Sequence, residues 1–148
     1  MPRIFESLEE LAPLVGQEVG ASDWFLVTQD LIDRFAEVTG DHQWIHTDVE
    51  RARAETPFGG TIGHGFLTLS LMSALSHQAV ELRGPYKMRI NYGFNRVRFV
   101  SPVPAGKRIR VRMSPQKVSA NEVIWGVTVD VEGSEKPAVV AEWLARVY

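Results

Sequence analysis

The sequence predicts an α+β fold with an antiparallel sheet and helices on one of its faces. Helical patterns fill the N-terminal half of the chain, and alternating apolar patterns follow one another in the C-terminal half. Helices first and long strands in series afterwards are typical of this class, because parallel sheets need helices between their strands. A chain of 148 residues has the length of one domain, so we expect a single domain spanning residues 1–148.

Composition narrows the range of partners. The chain has 16 basic and 18 acidic residues, a formal net charge of −2, which argues against nucleic acid as a partner and favours a small ligand. It has no cysteine, which excludes disulfides, thiolate metal sites and a catalytic cysteine, and is compatible with a reducing cytosol. The first ten residues lack the apolar stretch of a signal peptide, and no segment resembles a membrane span. We therefore expect a cytoplasmic protein without membrane contact.

Two helices are predicted before the middle of the chain. The first spans Thr28–Thr39, with a threonine hydroxyl as N-cap, and Gly40 ends it because glycine readily takes the left-handed conformation. The second begins at the capping-box sequence Thr47–Glu50, with the Thr47 hydroxyl as N-cap, and ends before Pro57. Both helices are short, so other elements must supply most of the core.

A third, longer helix is predicted from Phe66 to Leu82. It follows a segment with four glycines in seven positions, whose backbone makes tight turns or approaches something closely. Apolar residues cover most of the circumference of this helix. A helix that is apolar nearly all round must be buried, so the strands are expected to wrap it.

Four strands are predicted to follow. The first spans Asn91–Val100 and is stopped by prolines. In the second, three apolar residues alternate with three arginines, the period of a strand with one buried face and one solvated face: Ile109, Val111 and Met113 against Arg108, Arg110 and Arg112. The third and fourth place their apolar residues on one face in the same way: Val123, Trp125, Val127, Val129 and Val131, then Val139, Ala141, Trp143, Ala145 and Val147.

The candidate site centres on Asp41 and His46, a carboxylate and an imidazole that form a natural acid/base pair. Five residues of regular helix rotate by roughly 500°, which would point the two side chains about 140° apart. They converge only on a bent loop, which Gly40 permits. The alternative is an aspartate that caps a turn and a histidine bonded to backbone. A metal site is not expected among the plausible ligands Asp41, His42, His46 and His64, because the sequence lacks the H-E-x-x-H motif of helical zinc sites.

The spacing Gly40-Asp41-x-x-x-x-His46, followed by Ile62–Gly65, resembles the MaoC-like, (R)-specific enoyl-CoA hydratase family. This family has the hot-dog fold, a long central helix wrapped by an antiparallel sheet. Longer runs resemble its NodN-like branch, which includes mycobacterial single-domain hydratases: Thr39–His46, Pro57–Gly59, His64–Phe66 and Asn91–Phe99. Most members have Asn-Pro where this chain has Gln43-Trp44, which changes the loop and leaves the spacing of Asp41 and His46 unchanged.

The resemblance implies hydration of trans-2-enoyl-CoA to (R)-3-hydroxyacyl-CoA, a reaction of fatty acid metabolism. Asp41 and His46 would act on the water and the α-carbon, with the choice of acid and base left open. The Gly65 amide would form the oxyanion hole at the positive end of the helix dipole, and Ser73 would orient the pair. His64 has two open interpretations, a substrate contact or a structural histidine bonded to the Asp41 loop. The expected substrate contacts are Trp44, Gly63, His64, Asn91 and Tyr92.

The resemblance also implies a homodimer whose active sites lie near the subunit interface, a CoA or carrier-protein thioester as substrate, and no cofactor. Five basic residues are available for the CoA diphosphate: Arg83, Lys87, Arg89, Arg96 and Arg98. Two alternatives remain. A hot-dog thioesterase would need a carboxylate near the central helix, where only Glu81 is present. A non-catalytic acyl-thioester-binding NodN-like protein would have no physical reason to keep both Asp41 and His46.

Overall fold

A long helix lies against one face of an antiparallel sheet in the computed structural model, which describes residues 1–148. The predicted α+β class is therefore confirmed. The helices are α1 (Gln29–Thr39), α2 (Trp44–Thr47), α3 (Val49–Glu55) and α4 (Gly65–Ala79), with a 3₁₀ helix over Leu8–Leu14. The strands are β1 (Arg3–Phe5), β2 (Gly20–Ala21), β3 (Phe25–Leu26), β4 (Val80–Leu82), β5 (Arg89–Phe99), β6 (Arg108–Val118), β7 (Glu122–Val131) and β8 (Val139–Val147).

The main sheet has the strand order β2-β6-β7-β8-β5, and β3 also pairs with β6. All of its pairings are antiparallel, and the β7–β8 register sets Trp125 opposite Trp143. Strand β5 pairs only with β8, and two register shifts interrupt that pairing. Strand β5 is therefore a long edge strand, and one side of its backbone has no neighbouring strand.

The core lies between α4 and the sheet. The predicted alternation is confirmed on β6 and β7, whose apolar side chains are buried at every second position. On β8 the predicted positions are buried as far as Val147, except Ala145, which is only partly buried. Together with side chains of α4 and of the 3₁₀ helix, these residues form one cluster of 26 buried residues. Burial of this apolar surface is the main stabilising contribution to the fold.

Helix α4 begins one residue earlier and ends three residues earlier than predicted, and one side of it is exposed. It ends at Ala79, and the last three residues of the predicted helix, Val80–Leu82, form β4, which pairs in parallel with β1. A short apolar run does not distinguish helix from strand when its partner strand lies some 75 residues away. The helix is also not covered all round, because one stripe of it is exposed: Phe66, Ser70, Ala74 and His77.

The N-terminal helices follow the prediction with one correction. The Thr28 hydroxyl accepts a hydrogen bond from the Leu31 N–H at 3.1 Å, and Gly40 ends α1 with a φ of 78°. The N-cap of α3 is Asp48 rather than Thr47, since the Asp48 carboxylate accepts from the Arg51 N–H at 3.0 Å. Thr47 instead closes α2, a single turn too short to show helical periodicity. No helix is long and apolar enough to cross a bilayer.

The arginines of β6 are paired across the outer face of the sheet. Asp130 on β7 accepts from Arg112 through both carboxylate oxygens, at 2.8 and 3.0 Å, and from Arg110 at 3.1 Å. Burial would raise the pKa of the Asp130 carboxyl, but the hydrogen bonds from the two guanidinium groups outweigh it and hold the pKa below its usual range. The folded state therefore favours the ionised carboxylate.

We predict that Asp130→Asn lowers the free energy of unfolding by about 1–2 kcal/mol at neutral pH, because it removes a charged acceptor from two guanidinium groups. This stabilisation is present above the pKa of an unfolded aspartate, about 3.9, and is lost as the pH falls through the lower folded value. Urea unfolding at neutral and acid pH measures both effects. Glu132→Gln is the matched control, since its exposed pair with Arg108 spans 3.9 Å. Equal loss in both variants would contradict the prediction.

Candidate active site

The loop after α1 brings Asp41 and His46 together. Gly40 turns the chain in the left-handed conformation, and the Asp41 carboxylate accepts a hydrogen bond from the Gln43 N–H at 3.3 Å. The single turn of α2 then returns His46 towards Asp41. One polar side-chain atom each of Asp41, His46 and His64 lies within 4.8 Å of the other two. The bent loop predicted from the spacing therefore forms, and a third side chain joins it.

The orientation of His46 fixes which nitrogen is free. Its Nδ1 lies 2.6 Å from the carbonyl oxygen of Ile62, and because a carbonyl only accepts, Nδ1 carries the proton. Burial lowers the pKa of His46 below its usual value, and nearby His64 lowers it further, while the bond to Ile62 and the charge of Asp41 oppose the shift. At neutral pH, His46 is therefore an uncharged imidazole with an unprotonated Nε2.

Gln29 fixes the backbone that carries His46. Its side-chain amide donates to the His46 carbonyl oxygen at 2.8 Å and accepts a hydrogen bond from the Thr61 hydroxyl. The Ile62 N–H donates to the Ile45 carbonyl at 3.1 Å. Sequence reasoning missed Gln29, because a polar residue in the first turn of a helix looks like ordinary surface. The segment before α4 is thus tied to α2 through both side chains and main chain.

His64 packs against the ring of His46, which lines a cavity at the start of α4. It is only 2% exposed, its Nε2 donates to the Asp41 carbonyl oxygen at 3.0 Å, and its ring stacks on His46 with 3.9 Å between centroids. It does not line that cavity. Of the two interpretations left open by the sequence, the structure favours the histidine bonded to the Asp41 loop over the substrate contact.

A cavity of about 210 Å³ opens beside His46. Gly63, Gly65 and Thr68 line it on the side of α4, and Phe99 lines it from β5. The Gly65 N–H is in the first turn of α4 and has no acceptor in the protein. A β-carbon at Gly65 would lie 2.9 Å from the Phe99 ring, so glycine allows this ring to cover the helix start. The sequence did not indicate Thr68 or Phe99, since both look like core residues.

Two of the predicted site residues on helices lie outside this cavity. Ser73 is eight residues beyond Gly65, roughly 12 Å along α4, and lines a second cavity of about 180 Å³. Within one chain it therefore cannot orient Asp41 or His46. Trp44 is half-buried, and its indole packs against the Arg51 guanidinium 4.1 Å from the ring centre. Thr68, one turn after Gly65, is the helix hydroxyl that the cavity contains.

The two predicted substrate contacts on β5 lie at the far end of that strand. Asn91 lines the second cavity, and the Arg146 guanidinium covers the Tyr92 ring at 3.4 Å. Seven residues of extended chain separate Tyr92 from Phe99, roughly 23 Å. Neither residue reaches the cavity beside His46 in its own chain.

The basic residues of β5 divide between the two faces of the sheet. Arg96 and Arg98 pair with the exposed residues Glu142 and Val140, so their side chains lie on the outer face, away from α4. Arg89 pairs with buried Val147 and lines the second cavity on the inner face. Arg83 is engaged by Glu81 at 2.8 Å, and Lys87 is exposed. Of the five candidates for the CoA diphosphate, Arg89 is the one on the face that carries the cavities.

The geometry of the cluster favours proton transfer over metal binding. The His46 and His64 rings are stacked with 25° between their planes, so their free lone pairs lie in separate planes. A zinc ion needs each nitrogen about 2.0–2.1 Å away along its lone pair, which these two rings do not offer at one point. The exposed His42 is not part of the cluster.

Comparison with known proteins identifies the family. Residues 10–136 match the family model described as a MaoC like domain. The chain belongs to the MaoC-like dehydratase family. This MaoC-like protein is 50% identical to 3-hydroxyacyl-thioester dehydratase Z of Mycobacterium tuberculosis over 149 aligned residues, covering 97% of each chain. It is 45% identical to nodulation protein N of Rhizobium meliloti, covering 94% of this chain and 89% of the relative.

Among solved structures, this MaoC-like protein is similar to the R-hydratase PhaJ1 of Pseudomonas aeruginosa, with a TM-score of 0.76 and 27% identity. The similarity covers 96% of this chain and 85% of that one. The predicted hot-dog fold and the resemblance to the NodN-like branch are therefore confirmed. The protein is an enzyme of the hydratase/dehydratase type, a hydro-lyase.

Proposed function

We propose that this enzyme is a cytoplasmic, (R)-specific hydratase that converts trans-2-enoyl-CoA to (R)-3-hydroxyacyl-CoA, with residues 1–148 acting as one domain. One observation carries the proposal: His46 lines a cavity together with Gly65, whose N–H has no acceptor, and the Asp41 carboxylate lies within 4.8 Å of a ring nitrogen of His46. An acid/base pair and an amide donor close to one cavity are what addition of water to an unsaturated thioester requires.

In the proposed reaction, His46 moves the proton. The oxygen of the water attacks C3 while its proton passes to the His46 Nε2, and the electron pair of the double bond shifts towards the thioester oxygen. The imidazolium then gives that proton to C2, so one water is added in total. The neutral state of His46 supports this role, because a base must start without its proton.

Asp41 and Gly65 would stabilise the charges that form in this reaction. The Asp41 carboxylate would accept a hydrogen bond from the water and would stabilise the imidazolium once His46 is protonated. The Gly65 N–H would donate to the thioester oxygen, and the positive end of the α4 dipole lies behind it. Both groups act most strongly on the charged transition state, which is the condition for catalysis.

Two competing functions are less well supported. A thioesterase would attack the carbonyl carbon and would need a carboxylate on α4, but α4 has none, and Glu81 lies beyond it on β4. A protein that only binds acyl thioesters would not require an unprotonated imidazole beside a carboxylate. Acyl-carrier-protein thioesters remain an alternative to CoA, because the reacting thioester is the same. Hydration and dehydration are the two directions of the same reaction. The relatives are named for one direction each, a 3-hydroxyacyl-thioester dehydratase and an R-hydratase.

We also propose a homodimer formed through β5. This strand has a free edge and several exposed apolar side chains: Ile90, Tyr92, Phe94 and Phe99, with Met88 just before the strand. The exposed stripe of α4 begins at Phe66, an exposed phenylalanine, and also includes Ala74. An open edge and an apolar surface of this kind favour pairing with a second copy.

Antiparallel pairing of two β5 strands would bring the start of one strand to the end of the other. The cavity beside His46, covered by Phe99, would then lie next to Asn91 and Tyr92 of the partner subunit. In this arrangement, Asn91 and Tyr92 would contact the substrate bound to the other subunit, although they do not reach the cavity of their own chain.

We predict that Asp41→Asn and His46→Gln each lower the rate of hydration by about 10²–10⁴-fold, because they remove proton-transfer capacity and conserve volume. Loss of enoyl-thioester absorbance measures the rate with crotonyl-CoA and longer 2-enoyl-CoAs. His42→Gln is the matched control, an exposed histidine of the same loop. Release of free thiol would indicate the thioesterase. An unchanged signal with every wild-type substrate would favour a binding protein or a carrier-protein substrate.

The pH dependence tests the role of His46. The value of kcat/KM should fall as the pH drops through the pKa of His46, because protonation occupies the Nε2 lone pair. Burial lowers this pKa, so the midpoint of the acid limb should lie below the ordinary histidine value of about 6.5. Circular dichroism at each pH separates this loss from unfolding. A midpoint above the ordinary value, with the fold intact, would exclude His46 as the base.

The homodimer is tested by light scattering. The wild type should have the mass of two chains, and Ile90→Glu should shift it towards one chain, because a charge on the edge strand opposes pairing. Val38→Glu on α1 is the matched control, since Val38 is exposed and lies outside β5. A wild-type monomer, or dimers that persist in Ile90→Glu as in the control, would contradict the proposed interface.

A further inference from the structure

The imidazole of His64 contacts both members of the acid/base pair. Its Nε2 donates to the Asp41 carbonyl oxygen at 3.0 Å, and its ring stacks on His46 with 3.9 Å between centroids. The first contact holds the main chain that carries the carboxylate. The second sets the plane of the ring that carries the free Nε2. A single side chain therefore links the positions of the two reacting groups.

His64 is buried, and only one of its two ring nitrogens is hydrogen-bonded. The side chain lies between the rings of His46 and Phe35, with centroids 3.9 and 4.9 Å away. Its Nδ1 is buried and has no hydrogen-bond partner. An unpaired buried acceptor destabilises a fold, whereas a phenyl ring in the same place would stack on both neighbours without that penalty. Phenylalanine would also lose the hydrogen bond to the Asp41 carbonyl oxygen, so its two effects on stability oppose each other.

We propose that His64 is a positioning residue for the hydration reaction. It acts through Asp41 and His46, because it is only 2% exposed and its Nε2 is engaged by the Asp41 carbonyl oxygen. The hydrogen bond fixes the Asp41 backbone, the stacking fixes the His46 ring, and the carboxylate and Nε2 are thereby aimed at one water. This inference rests on the function proposed above.

Two variants separate the contacts of His64. His64→Phe keeps a flat ring between Phe35 and His46 and removes the donor to the Asp41 carbonyl oxygen. His64→Gln keeps a donor, since the glutamine amide nitrogen can take the place of Nε2, and loses the ring. Steady-state kinetics on 2-enoyl-CoA gives kcat and KM for each variant, and thermal unfolding gives the stability.

His64→Phe should lower kcat by about 10²-fold with KM within a few-fold of wild type, since misplacement of a reacting group acts on the chemical step. Its melting temperature should lie near that of the wild type, because the lost hydrogen bond to the Asp41 carbonyl oxygen opposes the removal of the unpaired Nδ1. His64→Gln should retain more of kcat than His64→Phe and should melt lower, because it leaves a gap between two rings. Of the two variants, His64→Gln is thus expected to be the more active and the less stable.

A kcat for His64→Phe at or above that of His64→Gln would overturn the inference. A rise in KM with unchanged kcat would also overturn it, because His64 would then be a substrate contact. A loss of activity that only follows a loss of stability in both variants would show a purely structural role. The wild-type enzyme is the reference for all of these comparisons. If the wild type itself is inactive, the proposed hydratase function is refuted instead.

Discussion

The hydrogen bond from the His46 Nδ1 to the Ile62 carbonyl oxygen is the contact on which the site depends. It leaves Nε2 without a proton, and it ties α2 to the segment that leads into α4. That segment is also bonded to the connection between β5 and β6, because the Gly63 N–H donates to the Val103 carbonyl at 2.8 Å. The proposed acid/base pair therefore lies on the loop after α1 and the single turn of α2, yet its position is set by the start of a helix that is packed into the core. A loop site held in this way combines access with a fixed geometry.

The sheet and α4 give one chain a continuous core, but the chain leaves two surfaces uncovered. The free edge of β5 and the exposed stripe of α4 that begins at Phe66 are the two surfaces that a second copy would bury. Phe99 belongs to β5 and also covers Gly65, so the edge strand is part of the site. In the proposed homodimer, assembly and substrate binding would therefore use the same strand, and changes on β5 would affect both.

Patterns that repeat along the chain could be predicted from the sequence, and contacts between distant segments could not. The alternation in β6, β7 and β8, the N-cap at Thr28 and the turn at Gly40 all follow from local preference. Strand β4 depends on β1 at the other end of the chain, and the cavity residues Thr68 and Phe99 meet only in the fold. Ser73, Asn91 and Tyr92 came from family resemblance, which carries residue types and spacing but not the distances between residues in the folded chain.

The stereochemical course of the reaction in D₂O tests the central claim most directly. Crotonyl-CoA is incubated with the wild-type enzyme in D₂O, and the product is examined by chiral chromatography and mass spectrometry. The account predicts (R)-3-hydroxybutyryl-CoA with one deuterium at C2, because the proton given to the α-carbon comes from water by way of the acid/base pair. An (S) product, a product without deuterium at C2, or free CoA with no hydroxyacyl product would contradict it.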